Sequence, residues 1–188
     1  PSFIEMLRVH FPRWVSVAAM LVMAVGLAWT AFRPAAPAEE GDAPFALEVG
    51  NEFPEIALRN PFGELVPLSS LKPNVVLVEF WASYSKVCTE EHCWYFLPLY
   101  EQYKDKGFEI YGVSVDTSAQ HWLTGIERDD LPWIQVADIG EKESELWKQF
   151  EITELPTTFL LDEKGNIIAK NIGRDELEKH LETLLAGR

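Results

Sequence analysis

Residues 75–88 read Val-Val-Leu-Val-Glu-Phe-Trp-Ala-Ser-Tyr-Ser-Lys-Val-Cys, and this stretch decides the fold. Its first seven residues form an apolar run interrupted only by Glu79, which is typical of a central strand buried on both faces of a sheet. A helical pattern follows to about Lys106, and Gly107 ends it. The stretch therefore predicts a buried strand that leads directly into a helix, with Cys88 near the start of that helix.

The rest of the globular region predicts strands and helices in alternation, with a hairpin at each end. The last helix is amphipathic, because Leu177, Leu181 and Leu184 share one face, and Asp175 is expected to cap it. The predicted elements are a hairpin over 56–58 and 65–67, strands over 75–81, 108–115 and 133–137, helices over 120–128 and 144–150, and a hairpin over 157–161 and 166–170. This pattern predicts an α/β fold with a mixed central sheet and helices on both faces.

A separate apolar segment lies near the N-terminus. It runs from Trp14 to Phe32, 19 residues without a charge. As a helix it would extend about 28 Å, close to the roughly 30 Å thickness of the hydrocarbon core of a bilayer. The basic residues Arg8 and Arg13 precede it and favour an N-terminus in the cytoplasm. The sequence therefore predicts a single transmembrane helix that leaves the rest of the chain outside the cytoplasm.

The predicted organisation has four parts. Residues 1–13 form a cytoplasmic segment, 14–32 the transmembrane helix or signal anchor, 33–48 a linker rich in Pro, Ala and acidic residues, and 49–188 the globular domain. The alternative for the apolar segment is a cleaved signal peptide, because Ala36-Pro37-Ala38 is similar to a small-residue cleavage site.

Charge and cysteine content narrow the classes of function. The net charge of −14 argues against nucleic acid as a partner, since nucleic-acid binding needs a cluster of basic residues. The two cysteines, Cys88 and Cys93, are too few for a scaffold held together by disulfides. Their closeness in the sequence instead indicates a reactive site.

Several stretches carry a resemblance to one family. They are 75–88, Val49-Gly50, 100–116, and 155–162 with Gly165. Together they resemble the TlpA/ResA-like, membrane-tethered thiol-disulfide oxidoreductases of the AhpC/TSA–redoxin superfamily, over nearly all of the globular domain. The resemblance implies a thioredoxin-like fold, a bacterial cytoplasmic membrane with the domain on its periplasmic, extracytoplasmic side, and protein thiols or disulfides as substrates. It implies no cofactor.

The active-site motif departs from the family at one position. The family motif is W-A-S-W-C-x-x-C, and this chain has Ser85 in place of the first cysteine and keeps the second as Cys88. A serine hydroxyl cannot form a disulfide, and without a strong base it is a poor nucleophile at neutral pH. Ser85 and Cys88 therefore cannot run the two-cysteine cycle of the family. Activity must use Cys88, and the mixed disulfide with a client would be resolved either by Cys93 or by an external thiol.

The spacing Cys88-x4-Cys93 supports a second hypothesis. It is similar to Q-type peroxiredoxins, in which Ser85 would hydrogen-bond Cys88, and Cys88 would pass through sulfenic acid to a disulfide with Cys93. Those enzymes have a Pro at Trp81 and an Arg in the region of Leu155-Pro156, and this sequence has neither. A third hypothesis is a redox-inactive thioredoxin fold that serves as a binding module.

The remaining candidate site residues follow from their placement. A position in the first helical turn favours the thiolate of Cys88, and the alternative is an inert buried thiol. A buried carboxylate at Glu79 must be paired or protonated, and the resemblance gives it proton exchange with the second cysteine. The resemblance also makes Pro156 the cis-proline that faces the cysteines. His92 lies one helical turn beyond Cys88, where it could either lower the thiol pKa or be a surface residue. One histidine beside two cysteines lacks a fourth ligand, so no metal site is predicted.

Overall fold

Seven strands in the described part of the chain form one mixed β-sheet. The computed structural model describes residues 47–139 and 145–187. The strands are β1 (Ala57–Arg59), β2 (Leu65–Pro67), β3 (Val75–Trp81), β4 (Phe108–Ser114), β5 (Ile134–Ala137), β6 (Thr157–Leu161) and β7 (Ile167–Lys170). Their order across the sheet is β2-β1-β5-β4-β3-β6-β7. Parallel and antiparallel pairs both occur, so the predicted mixed sheet is confirmed.

Five α-helices connect and cover these strands within the described residues. They are α1 (Lys86–Glu91), α2 (Leu97–Tyr103), α3 (Ala119–Asp129), α4 (Glu145–Gln149) and α5 (Arg174–Leu184). Single turns of other helix types are Leu68–Ser70 and Lys104–Lys106 (3-10) and His92–Phe96 (π). The elements expected between positions 56 and 170 are all found, with ends that differ by one or two residues.

The start of α5 differs from the prediction. Gly173 is the N-cap residue and no side chain caps the helix, so the expectation that Asp175 is the cap is wrong. Asp175 lies within the first turn instead, where its negative charge is favourable beside the positive end of the helix dipole. Leu184 is exposed at the last turn, and Leu185 packs into the core in its place.

Strand β3 lies in the interior of the sheet, as its apolar sequence predicts. It pairs in parallel with β4 and antiparallel with β6, and all seven of its residues are buried. Side chains alternate along a strand, so Glu79 shares a face with Leu77 and Trp81. The side chains of Glu79 and Trp81, near the carboxyl end of β3, therefore lie on the side of the sheet where α1 begins.

Helices cover both faces of the sheet, which confirms the predicted layering. On the face of Glu79, α1, α2, α3 and α5 contribute Cys88, Leu99, Trp122 and Leu177 to one buried cluster. On the other face, the segment before β1 and α4 contribute Phe53 and other apolar side chains to a second cluster. Apolar side chains of β3 belong to both clusters, so this strand joins the two layers of the core.

A continuous helical stretch follows β3 from Lys86 to Lys106. It contains one π turn, in which the N–H of Leu97 donates to the carbonyl oxygen of His92, five residues earlier. Pro98 explains this turn, because proline has no N–H to donate and its ring pushes against the carbonyl of the preceding turn. Gly107 ends the stretch in the left-handed conformation, with φ of 95°.

The predicted membrane segment, Trp14–Phe32, lies outside the described residues. Among residues 47–139 and 145–187, no helix has the length and apolar character needed to cross a bilayer.

Candidate thiol site

Ser85 and Cys88 lie where the polypeptide passes from β3 into α1. Ser85 is the N-cap of α1, and its Oγ accepts a hydrogen bond from the N–H of Cys88 at 3.3 Å. This is the role that serine fills at helix starts, because its oxygen satisfies one of the free N–H groups of the first turn. Cys88 is thus in the first turn, as predicted, and its side chain is 0% exposed.

The environment of Cys88 favours the neutral thiol. Burial raises the pKa of Cys88 to about 11, and the negative charges of Glu79 and Glu91 act in the same direction. Hydrogen bonds from Ser85 and the backbone of Ala82 oppose this rise in the pKa but do not cancel it. The thiolate predicted from the helix start is therefore disfavoured in this state, because loss of hydration outweighs the hydrogen bonds that would stabilise the charge.

Cys93 has the opposite environment. It is a free thiol exposed to solvent, whereas Cys88 is a free thiol in the core. The segment between them is helical, so residues five apart lie about 8–9 Å from each other between Cα atoms. A disulfide needs a separation of at most about 7 Å. The two cysteines can therefore join only after the backbone between them changes conformation.

Glu79 and His92 form a buried ion pair next to Cys88. Nε2 of His92 lies 2.8 Å from Oε1 of Glu79, and Nδ1 of His92 lies 3.1 Å from Oδ2 of Asp129. All three side chains are 0–1% exposed. Burial alone would lower the pKa of His92, but the two carboxylates together raise it above its ordinary value. His92 is thus a buried partner of Glu79 rather than a surface residue.

Glu79 has one further property that matters for proton transfer. Its Oε2 is buried and has no hydrogen-bond partner among the described residues. Its charge also contributes to the raised pKa of Cys88. One oxygen of Glu79 is therefore held by His92, while the other remains available as a hydrogen-bond acceptor.

Arg128 and Asp129 also belong to the site, and the sequence did not identify them. Arg128 donates to Oδ1 of Asp129 at 2.6 Å, to the carbonyl oxygen of Ser83 at 2.9 Å and to Oγ1 of Thr89 at 2.7 Å. The pKa of Arg128 is raised mainly by Asp129, and a negative charge on Cys93 would raise it further. The contacts with Thr89 and Ser83 span 39 and 45 positions, so no local pattern could have revealed them.

Glu91 is a third residue that the sequence analysis missed. It is half-buried on α1, and burial followed by the charge of Glu79 raises its pKa. Its position three residues after Cys88 places both side chains on one side of the helix. That spacing was visible in the sequence and could have identified it.

Pro156 has the backbone conformation that the resemblance implied. The Leu155-Pro156 peptide bond is cis. Thr157 follows at once and pairs with Phe80 of β3, so Pro156 lies at the end of the sheet from which β3 leads to Cys88. In the part of the chain that the structure describes, no group of three or more His, Cys, Asp and Glu side chains is placed to hold a metal ion.

The family assignment follows from the match between sequence and site. The family model described as Redoxin matches residues 48–185. The chain belongs to the Redoxin family. Curated relatives include the thiol-disulfide oxidoreductase ResA of a Bacillus cereus strain, 29% identical over 141 residues that cover 73% of this chain and 79% of the relative. ResA of Geobacillus kaustophilus is 30% identical over 142 residues, covering 74% and 79%.

Solved structures agree with this redoxin assignment. The thioredoxin domain of a thiol-disulfide oxidoreductase from Bacteroides vulgatus has a TM-score of 0.67 and 33% identity, and the match covers 73% of this chain and 98% of that one. A thiol-disulfide oxidoreductase from Bacteroides fragilis has a TM-score of 0.65 and 34% identity, covering 71% and 99%. The thioredoxin-like fold and the TlpA/ResA-like resemblance are confirmed.

Proposed function

We propose that this redoxin is a membrane-tethered, extracytoplasmic thiol-disulfide oxidoreductase that exchanges disulfides with client proteins through Cys93 and Cys88. The supporting observation is the unequal placement of the two thiols. Cys93 is exposed, and Cys88 is fully buried beside Glu79. Disulfide exchange needs one thiol that a client can reach and a second that later releases the client.

The difference in exposure supports an order of reaction for the two thiols. The thiolate of Cys93 attacks a client disulfide, forms a mixed disulfide and releases one client thiol. Cys88 then attacks the Cys93 sulfur, forms the Cys88–Cys93 bond and releases the second client thiol. The Cys88 proton reaches the leaving sulfur directly or through Glu79, and the Cys93 proton reaches the first client sulfur through solvent, so that the client gains two electrons and two protons and the protein loses them. This order reverses the roles expected from the sequence, because Cys88 cannot meet a client while buried.

Apolar side chains near both cysteines suit contact with a client chain. Tyr84 and Val87, four and one residues before Cys88, and Trp94, the residue after Cys93, are 70%, 52% and 68% exposed. Large exposed apolar side chains grouped on one surface mark interaction sites more often than isolated ones do. They support a protein rather than a small ion as the substrate.

Trapping of the mixed disulfide tests this proposal. With a model peptide that contains one disulfide, the Cys88→Ala variant is expected to accumulate a covalent adduct at Cys93, because the resolving thiol is gone. The Cys93→Ser variant is expected to react at least ten times more slowly than the Cys88→Ala variant. The double variant measures the background, and intact mass spectrometry counts the adduct. An adduct that forms equally well on both single variants would contradict the proposed order.

The tether rests on the apolar segment Trp14–Phe32 and needs its own experiment. The full chain expressed in a bacterium should stay in the membrane fraction after an alkaline carbonate wash, and protease added to spheroplasts should digest its globular domain. Deletion of residues 14–32 should move the protein out of the membrane fraction. A full chain that behaves like the deletion variant would contradict the tether.

The other two hypotheses give different results on the same protein. A peroxidase of the Q type needs Cys88 as a thiolate, which its raised pKa disfavours. Stoichiometric peroxide would convert such an enzyme promptly to a species two hydrogens lighter, with no client present.

A redox-inactive binding module would leave both thiols resistant to alkylation in the folded protein and to oxidation. The exposure of Cys93 favours exchange over the binding module.

A further inference from the structure

His92 lies between the two thiols in the sequence, four residues after Cys88 and immediately before Cys93. Its imidazole is anchored outside that segment on both sides, to Glu79 of β3 at 2.8 Å and to Asp129 of α3 at 3.1 Å. The segment Cys88–Cys93 is therefore fastened to the sheet and to a second helix by one buried side chain.

The surroundings make this anchor costly to break. His92 is packed edge-on against Trp81 and Trp133, with ring centroids 5.1 and 5.9 Å away. Glu79 and Asp129 are themselves buried, and a buried carboxylate that loses its partner is strongly disfavoured. Removal of the imidazole from this position would leave the charge of Glu79 without a hydrogen bond from any described residue.

Closure of a Cys88–Cys93 disulfide works against this anchor. The backbone N–H of His92 donates to the carbonyl oxygens of Cys88 and Thr89, so His92 is part of the helical turn that separates the thiols. The two Cα atoms must move from about 8–9 Å to within about 7 Å of each other. Backbone torsions between positions 88 and 93 must change to achieve this, and the anchored imidazole is displaced with them.

We propose that His92 acts as a clamp that holds the Cys88–Cys93 segment in its helical, dithiol form and so makes the Cys88–Cys93 disulfide easier to reduce. The clamp is defined by His92, Glu79 and Asp129, and the inference rests on the thiol pair of the proposed function. His92 is a positioning residue here, since it acts on the thiols through the backbone and not on a client. The balanced step is the reaction of two protein thiols with one client disulfide to give the Cys88–Cys93 disulfide and two client thiols.

A His92→Gln variant tests the clamp. The full chain and the variant are equilibrated with mixtures of reduced and oxidised dithiothreitol at pH 7, and the fraction that carries the Cys88–Cys93 bond is measured by mass after alkylation. Without the clamp, the equilibrium constant for disulfide formation should rise at least tenfold, which corresponds to a reduction potential about 30 mV more negative. His121→Gln is the matched control, because His121 is exposed on α3 and has no part in the clamp. An equilibrium constant within twofold of that of the full chain would overturn the proposal.

The pH dependence in the unmodified chain gives a second test that does not depend on how well a variant folds. Among the described residues, the charged groups that act on His92 are Glu79 from β3, Asp129 with its partner Arg128 from α3, and Glu91 from the same helical stretch. If oxidation releases His92 from its two carboxylates, the pKa of the imidazole falls back to 6.5, the ordinary value for histidine. Above that pH, the imidazole then loses its proton when the disulfide forms. The equilibrium constant against dithiothreitol should then rise with pH by up to tenfold per unit in the full chain. A constant that is independent of pH between 6.5 and 8 would overturn the clamp.

The outcomes for the clamp and for the proposed function can be told apart. Failure of Cys88→Ala to form an adduct at Cys93 would overturn the proposed exchange. Absence of the Cys88–Cys93 bond from both the full chain and His92→Gln, under the most oxidising conditions, would overturn the clamp even if the adduct forms. A bond that forms only in His92→Gln would support the clamp and would contradict the release step of the proposed function, in which Cys88 bonds to Cys93 in the unmodified chain.

Discussion

Ser85 keeps the structural role of its position in the family motif but not the redox role. The family motif has a cysteine at this position, and the serine keeps the structural task of capping α1 through its hydrogen bond with the N–H of Cys88. It cannot form a disulfide bond, so the capping role survives and the redox role is lost. The chemistry then depends on Cys93, which lies five residues beyond Cys88.

A Ser85→Cys substitution should restore the C-x-x-C motif. The new thiol would lie at the helix start with Cys88 three residues later, and we expect an oxidised form two hydrogens lighter whose bond joins positions 85 and 88. Reduction of a reporter disulfide should increase at least tenfold, since the new pair needs no unwinding of α1. Peptide mapping and a turbidity assay of reporter reduction would measure both effects.

The matched control for this change is Ser85→Ala. It removes the cap without adding a thiol, and it should lower the free energy of unfolding by about 1 kcal/mol while leaving exchange through Cys93 in place. A Ser85→Cys protein that oxidises only between positions 88 and 93 would show that the family geometry is not available at this helix start.

Helix α3 is the element that brings the site together. It carries Arg128 and Asp129 at its C-terminal end, and Gly125 lets it approach β3 closely. A Cβ atom on Gly125 would lie 2.8 Å from Cβ of Ser83 and 3.2 Å from the ring of Trp81. The close approach thus positions Asp129 against His92, and it depends on the absence of a side chain at one position.

A Gly125→Ala substitution should therefore weaken the fold. Alanine is the better helix former, by roughly 1 kcal/mol, but the contacts with Ser83 and Trp81 are with groups that cannot move aside easily. We expect a net loss of about 1–3 kcal/mol in the free energy of unfolding, as for other overpacked sites. Urea denaturation followed by tryptophan fluorescence would measure it. Thr124→Ala, at an exposed neighbouring position of α3, is the control and should be neutral or stabilising. Equal stability of the two variants would mean that α3 does not need this close contact.

The stability of the whole domain should depend on pH through the buried ion pairs. Burial alone would lower the pKa of His92, but Glu79 and Asp129 raise it in the folded protein. Below pH 6.5 both the folded and the unfolded chain carry the proton, so the full stabilisation is present there. It is lost as the pH rises from 6.5 through the higher pKa of the folded state.

We therefore expect the stability difference between the full chain and His92→Gln to be largest below pH 6.5 and to shrink above it. The slope can reach at most about 1.4 kcal/mol per pH unit for one proton. Urea unfolding at pH 5.5, 7 and 8.5 would measure the difference. His121→Gln should follow the full chain at every pH. A difference that grows with rising pH would contradict a protonated His92 between two carboxylates.

The sequence by itself determined the architecture of the globular domain. Apolar periodicity and turn residues predicted the buried strand Val75–Trp81, the helix after it and the terminal hairpin, because these signals are local. The family resemblance identified Glu79, the replacement of cysteine by Ser85, and the cis bond at Pro156. Each of these positions lies within a short continuous stretch that matches the family. These predictions needed no knowledge of which residues meet in space.

Only the tertiary structure decided the electrostatics of the site. The sequence placed Cys88 at a helix start and favoured its thiolate, but packing against the core removes its hydration and raises its pKa to about 11. The sequence left His92 either as a residue that lowers the thiol pKa or as a surface residue. The fold buries it, because its partners Glu79 and Asp129 come from a strand and a helix 13 and 37 positions away. Burial and charge pairing depend on contacts between segments that are distant in the chain, and no local pattern contains them.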